Sequence, residues 1–324
     1  MSDGATPISV VAVDWGTSQL RIWPLDRDGN VAATYKSGEG MRNVSPSGFA
    51  SLLEQHLTSL EIEHSVPVIM CGMVGSRQGW CEVPYVDMPC RLSDIIEGAV
   101  AVPNVARDIR ILPGLANRST QTPDVMRSEE TQLLGLHKLL GDDLRGHVCM
   151  PGSHAKWVRI EKGVVIDFAT SLTGELYAAL GSSSVLKHAL ASGDQKVDAQ
   201  SGAFVRAVRA SLAEPATILT RLFSARPNSL LHDLSNDDAA AHISGTIIGQ
   251  DIAGAMARFS PMHSVALVGS GHLGTLYASA LEIAGLKAQL YDGDELALGG
   301  LCHAARLMWP SRFDNRTNFK GMER

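Results

Sequence analysis

Val10-Val11-Ala12-Val13-Asp14-Trp15-Gly16-Thr17-Ser18-Gln19-Leu20-Arg21-Ile22-Trp23 decides how this chain is read. Small apolar residues run into an acid, a glycine and two adjacent hydroxyls. A segment with Leu20 and Ile22 on either side of Arg21 then leads away, which is the pattern of strand, tight turn, strand. A glycine lets the backbone come close to a bulky anion, Thr17 and Ser18 offer hydroxyl and amide donors, and a carboxylate at a strand end can hold a hydrated Mg²⁺. The stretch reads as a phosphate-binding hairpin. Taken alone it is equally an ordinary hairpin with a polar turn, and the choice depends on whether the pattern returns.

It returns in mid-chain. From Val148 the sequence runs Val-Cys-Met-Pro151-Gly152-Ser153-His154-Ala155-Lys156-Trp157-Val158-Arg159-Ile160, turns at Glu161-Lys162-Gly163, and continues into Val164-Val165-Ile166-Asp167-Phe168-Ala169. Gly152-Ser153 falls on Gly16-Thr17, and Glu161-Lys162-Gly163 falls near Asp26-Arg27-Asp28-Gly29-Asn30. Two such units in one chain point to an internal duplication. Facing each other across a cleft, two phosphate hairpins could grip a nucleoside triphosphate from both sides.

Composition narrows the class. At 324 residues, 45% hydrophobic and 19% charged, the chain has the make-up of a soluble globular protein with room for two domains. A net charge of −6 gives no reason to expect nucleic acid or an anionic membrane as partner. Residues 1–8 lack the basic region and apolar run of a signal peptide, and no stretch has the length of a membrane span, so a cytoplasmic location is expected. Five cysteines at spacings unlike any zinc pattern read as core or surface residues of a reducing compartment.

Between the two hairpins the patterning is that of an α/β fold: a strand at 31–35, a helix opened by Ser45 as cap, apolar strands at 66–70 and 109–112, and a helix start at 124–136 with acids in its first turn. Gly141-Asp142-Asp143-Leu144-Arg145-Gly146 marks a boundary, dividing the chain into domains 1–145 and 146–324. Residues 174–260 show only helical patterning and read as a helical insertion in the second domain. A strand at 264–268 then enters Gly269-Ser270-Gly271-His272-Leu273-Gly274, followed by a helix, a strand at 287–291, a last helix containing Gly299-Gly300, and a polar tail from Ser311.

Together, Asp14-Trp15-Gly16-Thr17-Ser18, Gly72-Met73-Val74-Gly75-Ser76-Arg77-x-Gly79-Trp80, Pro123-Asp124-Val125-Met126-Arg127-x-Glu129-Glu130-Thr131-Gln132, Pro151-Gly152-Ser153-His154-x-Lys156-Trp157 and Thr173-Gly174-Glu175 resemble the 2-dehydro-3-deoxygalactonokinases, sugar kinases of the actin-like ATPase superfamily. The resemblance spans nearly the whole chain. It departs at Ser128, where a glycine is expected. It implies two actin-like (ribonuclease H-like) domains around an ATP cleft, ATP and Mg²⁺ as cofactors, and transfer to the C6 hydroxyl of 2-dehydro-3-deoxy-D-galactonate in galactonate breakdown. The partner is then a small sugar acid, and a homodimer is admitted.

Under that resemblance Asp14 holds the metal through water. Gly16, Thr17 and Ser18 meet the γ-phosphate, and Gly152, Ser153 and His154 hold the other phosphates. Lys156 adds charge or is a solvated hairpin lysine, while Gly269, Gly271, His272 and Gly299 line the adenosine end. The acceptor's carboxylate calls for a forked donor, which selects Arg77 and Arg127, and Trp80 and Glu175 fall on the acceptor side as well. The general base is Asp124, taken as a loop residue free to project, or Glu129. Glu130 is least favoured because it is expected to turn toward solvent or support the helix dipole. Two rivals remain. Gly269-x-Gly271-x-x-Gly274 after a strand, with Asp292 about 20 residues on, is the fingerprint of an NAD-dependent oxidoreductase; a non-catalytic ATP-binding switch of the same fold is the other.

Overall fold

The structure, a computed structural model, describes residues 7–190 and 196–314. Residues 1–6 and most of the expected polar tail, from 315 on, lie outside the described residues.

The first strand, β1 (Val10–Trp15), is buried at every position, as an apolar run covered on both faces should be. β2 (Leu20–Leu25) returns antiparallel to it with Asp14 opposite Arg21, and β3 (Tyr35–Ser37) pairs with β2. The third strand thus starts later than expected: Val31 makes only an isolated bridge to Leu25. Helix α1 (Phe49–Ser59) follows Gly48, and Ser45 serves a turn closed by Gly48 N–H on its carbonyl (2.8 Å) instead of capping the helix.

β4 (Val68–Cys71) lies parallel to β1. After β5 (Val86–Asp87), β6 (Cys90–Arg91), α2 (Asp94–Glu97) and β7 (Val100–Ala101) comes β8 (Ile109–Ile111), parallel to β4. β9 (Leu115–Asn117) and β10 (Asp124–Met126) form a separate small sheet with β5, and α3 (Glu129–Leu140) then leads to the boundary. The main sheet has the order β3-β2-β1-β4-β8-β7. Val11, Val13, Trp15, Phe49, Leu53 and Leu57 fill its core, with Trp15 edge-on to Phe49 at 5.2 Å between ring centroids.

The second half repeats the plan. β11 (Arg145–Met150) pairs antiparallel with β12 (His154–Glu161), and β13 (Val164–Leu172) follows. Four helices come next, α4 (Gly174–Ser183), α5 (Gly202–Ala213), α6 (Ile218–Leu231) and α7 (Asn236–Arg258), with no strand among the described residues of that stretch. Strand β14 (Ser264–Val268), helix α8 (Gly271–Ile283), strand β15 (Lys287–Tyr291) and helix α9 (Gly293–Met308) complete the chain. β14 is parallel to β11 and β15 to β14, so β13-β12-β11-β14-β15 repeats β3-β2-β1-β4-β8 strand for strand. Here the core is built from Trp157, Phe204, Val208, Ile243 and Ile247.

Two compact units result. One holds the chain to Leu144, Lys162–Val164 and the described chain from Asp294; the other holds Arg145–Glu161 and Val165–Gly293. The last helix therefore departs from the boundaries expected from sequence, which gave 146–324 to the second domain. Its place follows from α3: a Cβ on Gly135 would run into the Leu296 carbonyl, and one on Gly300 into the Thr131 carbonyl, so glycines let the two helices touch through their backbones. No described helix is long and apolar enough to cross a membrane.

Candidate active site

In the first unit the site is built around Asp14. Asp14 is the penultimate residue of β1 and is 7% exposed. Arg21, across the hairpin, donates from Nη1 to Asp14 Oδ2 (2.9 Å) and from Nη2 meets Asp294 Oδ1 (3.1 Å), while Lys36 Nζ reaches Asp294 Oδ2 (2.8 Å). Arg21 thus faces the acid and the start of α9. Burial raises the Asp14 pKa, and the Arg21 guanidinium opposes the rise without cancelling it.

The turn itself is closed by Gly16 N–H on the Gln19 carbonyl (2.9 Å) and braced from outside. Met41 N–H donates to Gly16 O (2.9 Å), Arg42 N–H to Thr17 O (3.1 Å), and the Trp15 indole to Glu39 O (3.0 Å). The Thr17 side is half-buried and Ser18 is exposed.

Beside Asp14 stands the end of β4. Cys71 Sγ lies 3.7 Å from Asp14 Oδ1. Gly72 has φ 101°, and a Cβ there would sit 2.7 Å from Trp15 O and 3.0 Å from both Asp14 Oδ1 and Ser128 Oγ. Ser128 brings the start of α3 to this point with φ 96°, the backbone region that favours glycine, so the glycine expected there was a sound reading of the backbone even though serine occupies it.

The candidate bases separate. Asp124 is not in a loop: it lies in β10 opposite Asn117 and accepts from Val125 N–H (2.7 Å). Glu129 opens α3, half-buried, its Oε2 accepting from Arg127 N–H (3.1 Å). Glu130 does not turn to solvent. It is wholly buried, accepts from the Thr131 hydroxyl (3.0 Å), and is pushed up to about 8 by burial and by the charge of Glu129.

The two arginines also differ. Arg77 is a surface group, its side chain 80% exposed and 3.5 Å from Glu82. Arg127 is buried, stacks over Tyr85 (4.5 Å to the ring centroid) and donates from Nη2 to Val83 O (2.8 Å); its Nε and Nη1 have no hydrogen-bond partner among the described residues. Trp80 is half-buried and stacked with Phe49.

The second unit carries the other turn. Gly152 is half-buried, Ser153 exposed, and His154 already begins β12, its Nε2 in contact with Glu175 Oε2. Thr173 Oγ donates to Gly152 O (3.2 Å) and accepts from Ala155 N–H (3.3 Å), and Glu175 N–H donates to Ser153 O (3.0 Å). Lys156 is not a solvated hairpin lysine: it is 4% exposed, with Nζ 3.3 Å from His154 O.

Next to this turn is a cavity of ≈ 200 Å³ lined by Thr173, Gly174, Tyr177, Ile247, His272 and Tyr277, with further apolar side chains of α7 and α8. Gly269 lies beside Pro151, and Gly271 opens α8 with φ 62°. Gly299 lies in α9 of the first unit, where a Cβ would sit 3.8 Å from Gly135 Cα.

Sequence reasoning missed Cys71, Asp294 and the buried Asp251 of α7. Nothing local marks any of them; Asp251 meets Trp157 across 94 residues of chain.

Fold and site define a class: an α/β protein on a duplicated sheet, with one glycine–hydroxyl turn per copy and a buried acid on the first. It shares its fold with the ADPNP-bound activator of 2-hydroxyisocaproyl-CoA dehydratase from Clostridium difficile (TM-score 0.51, 11% identity, 96% of this chain and 99% of that one). The chain belongs to the 2-keto-3-deoxy-galactonokinase family, whose description it matches over residues 14–304. It is 48% identical over 92% of its length, and 97% of the other's, to a Rhizobium meliloti protein named as a probable 2-dehydro-3-deoxygalactonokinase. To the 2-dehydro-3-deoxygalactonokinase of Escherichia coli it is 32% identical, over 90% and 95%. A candidate 2-dehydro-3-deoxygalactonokinase from Sinorhizobium meliloti has a crystal structure matching at TM-score 0.89 with 47% identity, over 93% and 99%. The oxidoreductase reading falls with this membership and with the fold: after α8 come only β15 and α9, and α9 belongs to the other unit from its second residue on.

Proposed function

We propose that this protein is an ATP-dependent sugar-acid kinase that phosphorylates the C6 hydroxyl of 2-dehydro-3-deoxy-D-galactonate. The observation that carries the reading is similarity over nearly the whole chain to proteins named for that reaction. The two compact units are taken as the two actin-like domains, the first for acceptor and γ-phosphate and the second, with its helical block, for the nucleoside.

Phosphoryl transfer asks for positioning and charge neutralisation. The acceptor oxygen bonds to the γ-phosphorus, the bond to the β,γ-bridging oxygen breaks, ADP leaves, and the hydroxyl proton passes to a carboxylate. Glu129 is favoured as that carboxylate, because Ser128 sets the start of α3 against Gly72 and Asp14, whereas Asp124 is held in β10. Gly16, Thr17 and Ser18 offer donors to the γ-phosphate. Gly152, Ser153 and His154, with buried Lys156, serve the remaining phosphates, and the cavity beside them, His272 in its wall, suits an adenine.

Among the described residues no cluster of three or more His, Cys, Asp or Glu side chains could cage a metal. One buried carboxylate with phosphates beside it is the setting Mg²⁺ accepts, since it keeps most of its waters. Asp14 would hold it, and bound there the ion would neutralise charge on the transferred group.

Coupled ADP release over a panel of 2-keto-3-deoxy sugar acids and neutral sugars tests the reading. Release with the galactonate-derived acid, and little with neutral sugars, is expected. Silence with every acid, at ATP concentrations shown to saturate binding, would leave the ATP-binding switch in its place.

A further inference from the structure

Asp251 is a carboxylate inside the second unit, 6% exposed, that plays no part in the chemistry above. Its Oδ2 accepts from the Trp157 indole of β12 (3.0 Å) and from the Tyr277 phenol of α8 (2.8 Å), and the Ser171 hydroxyl of β13 bonds to the same carboxylate. Helix α7 supplies the acid, so one side chain ties together four elements. Burying a carboxylate against neutral donors is costly, and its pKa is raised by that burial. An apolar core of the same volume would do better for stability alone.

What a carboxylate offers that no apolar group does is acceptor capacity for several donors at once, and its hydrogen bonds are stronger than those to a neutral amide. Those donors lead to the proposed nucleotide site. Tyr277 lines the cavity and is in hydrogen-bonding reach of the Thr173 hydroxyl, which also lines the cavity. Thr173 in turn accepts from Ala155 N–H, and its single hydroxyl proton is shared between the Tyr277 oxygen and Gly152 O, so the two sides of the second turn meet at this side chain.

We propose that Asp251 is a positioning residue for the nucleotide: through Tyr277 and Thr173 it fixes the cavity wall and the Gly152–Ser153 turn relative to each other. The proposal rests on the kinase reading. Asn at 251 keeps the shape but offers the Trp157 and Tyr277 donors a weaker, neutral acceptor, and Phe at 277 keeps the ring but cuts the link.

The test is direct binding of the non-hydrolysable analogue ADPNP, alongside kinetics, on wild type, Asp251→Asn, Tyr277→Phe and the double variant. Each single change should weaken ADPNP roughly tenfold, about what one hydrogen bond to a charged group contributes. The double variant should be little worse than either, since both cut one path. KM for the sugar acid should stay as in wild type. A role in stability only would lower Tm and leave ADPNP affinity untouched in folded Tyr277→Phe, and that result overturns the proposal. Wild-type protein that fails to bind ADPNP at all overturns the kinase reading itself, and this inference with it.

Discussion

The two glycine–hydroxyl turns occupy equivalent places in equivalent sheets, yet their charges differ. At the first, Asp14 stands opposite Arg21 and the two are paired at 2.9 Å. At the second, Met150 stands opposite Lys156, so the same strand position has a cation and no acid. A duplicated hairpin needs only the glycine, the hydroxyl and the strand registers to keep its shape, which both copies retain. What one copy kept and the other lost is the acid. Under the proposed function the difference divides the work: a turn whose acid is buried at the strand end can hold a cation beside reacting oxygens, whereas a turn with a buried lysine at that place suits phosphate.

The largest effect should come from removing that asymmetry. Asp14→Asn leaves the hairpin's shape but takes away the anion, and kcat should fall at least about a hundredfold, the scale on which single electrostatic groups matter in transition states. Circular dichroism should show the fold intact. Near-normal kcat at saturating Mg²⁺ would mean the two turns are functionally alike.

Each unit also buries an acid that is not the turn's own, and these too are unequal. The Oδ2 of Asp251 is held by neutral donors from two elements, Glu130 Oε1 only by the Thr131 hydroxyl beside it in sequence. The Glu130 pKa of about 8 lies above the ordinary 4.5, so between those values the native protein keeps a proton that the unfolded chain has released. The stability of the neutral buried form is complete below the lower value and declines as pH rises toward the upper one, by about 1.4 kcal/mol per pH unit at most. Glu130→Gln, neutral at every pH, should lose that slope. Its Tm relative to wild type should climb steadily from about pH 5 to about pH 8. Parallel curves for the two proteins would refute a protonated Glu130.

Much of this was legible in the chain. Both hairpins, the parallel strands and the helices between 202 and 258 are local patterns of period two or 3.6, and they formed where the periods put them. Three positions were not settled by the sequence for one reason, that the deciding contact is remote. The packing of Gly299 on α3 is invisible locally because α3 is far off in sequence. Asp124 was read as a loop residue because its three-residue strand exists only through pairing with β9. Lys156 was left between added charge and a solvated side chain because nothing local shows that its strand is covered.

Lys156 gives the intermediate effect. Changing it to Gln removes the buried positive charge of the second turn, so KM for ATP should rise roughly tenfold while the sugar-acid KM and kcat move little, as for a group binding ground and transition states alike. If kcat falls as much as for Asp14→Asn, the division of labour between the turns is wrong.

The smallest effects belong to the acceptor side, where the first unit holds two candidate arginines of opposite character. Lysine in place of arginine keeps charge and loses the fork. Arg77 is exposed and only loosely paired with Glu82, and exposed pairs contribute little, so Arg77→Lys should change the sugar-acid KM by about twofold or less. Arg127 is 8% exposed, lies flat on Tyr85, and has Nε and Nη1 unspent. A lysine ammonium cannot stack in that plane while donating to Val83 O, so Arg127→Lys should raise the sugar-acid KM several-fold, with ATP KM unchanged. Steady-state kinetics in both substrates decides it. Equal, small changes in both variants would leave the carboxylate partner to another residue, and a rise confined to ATP KM would transfer Arg127 from the acceptor to the phosphates.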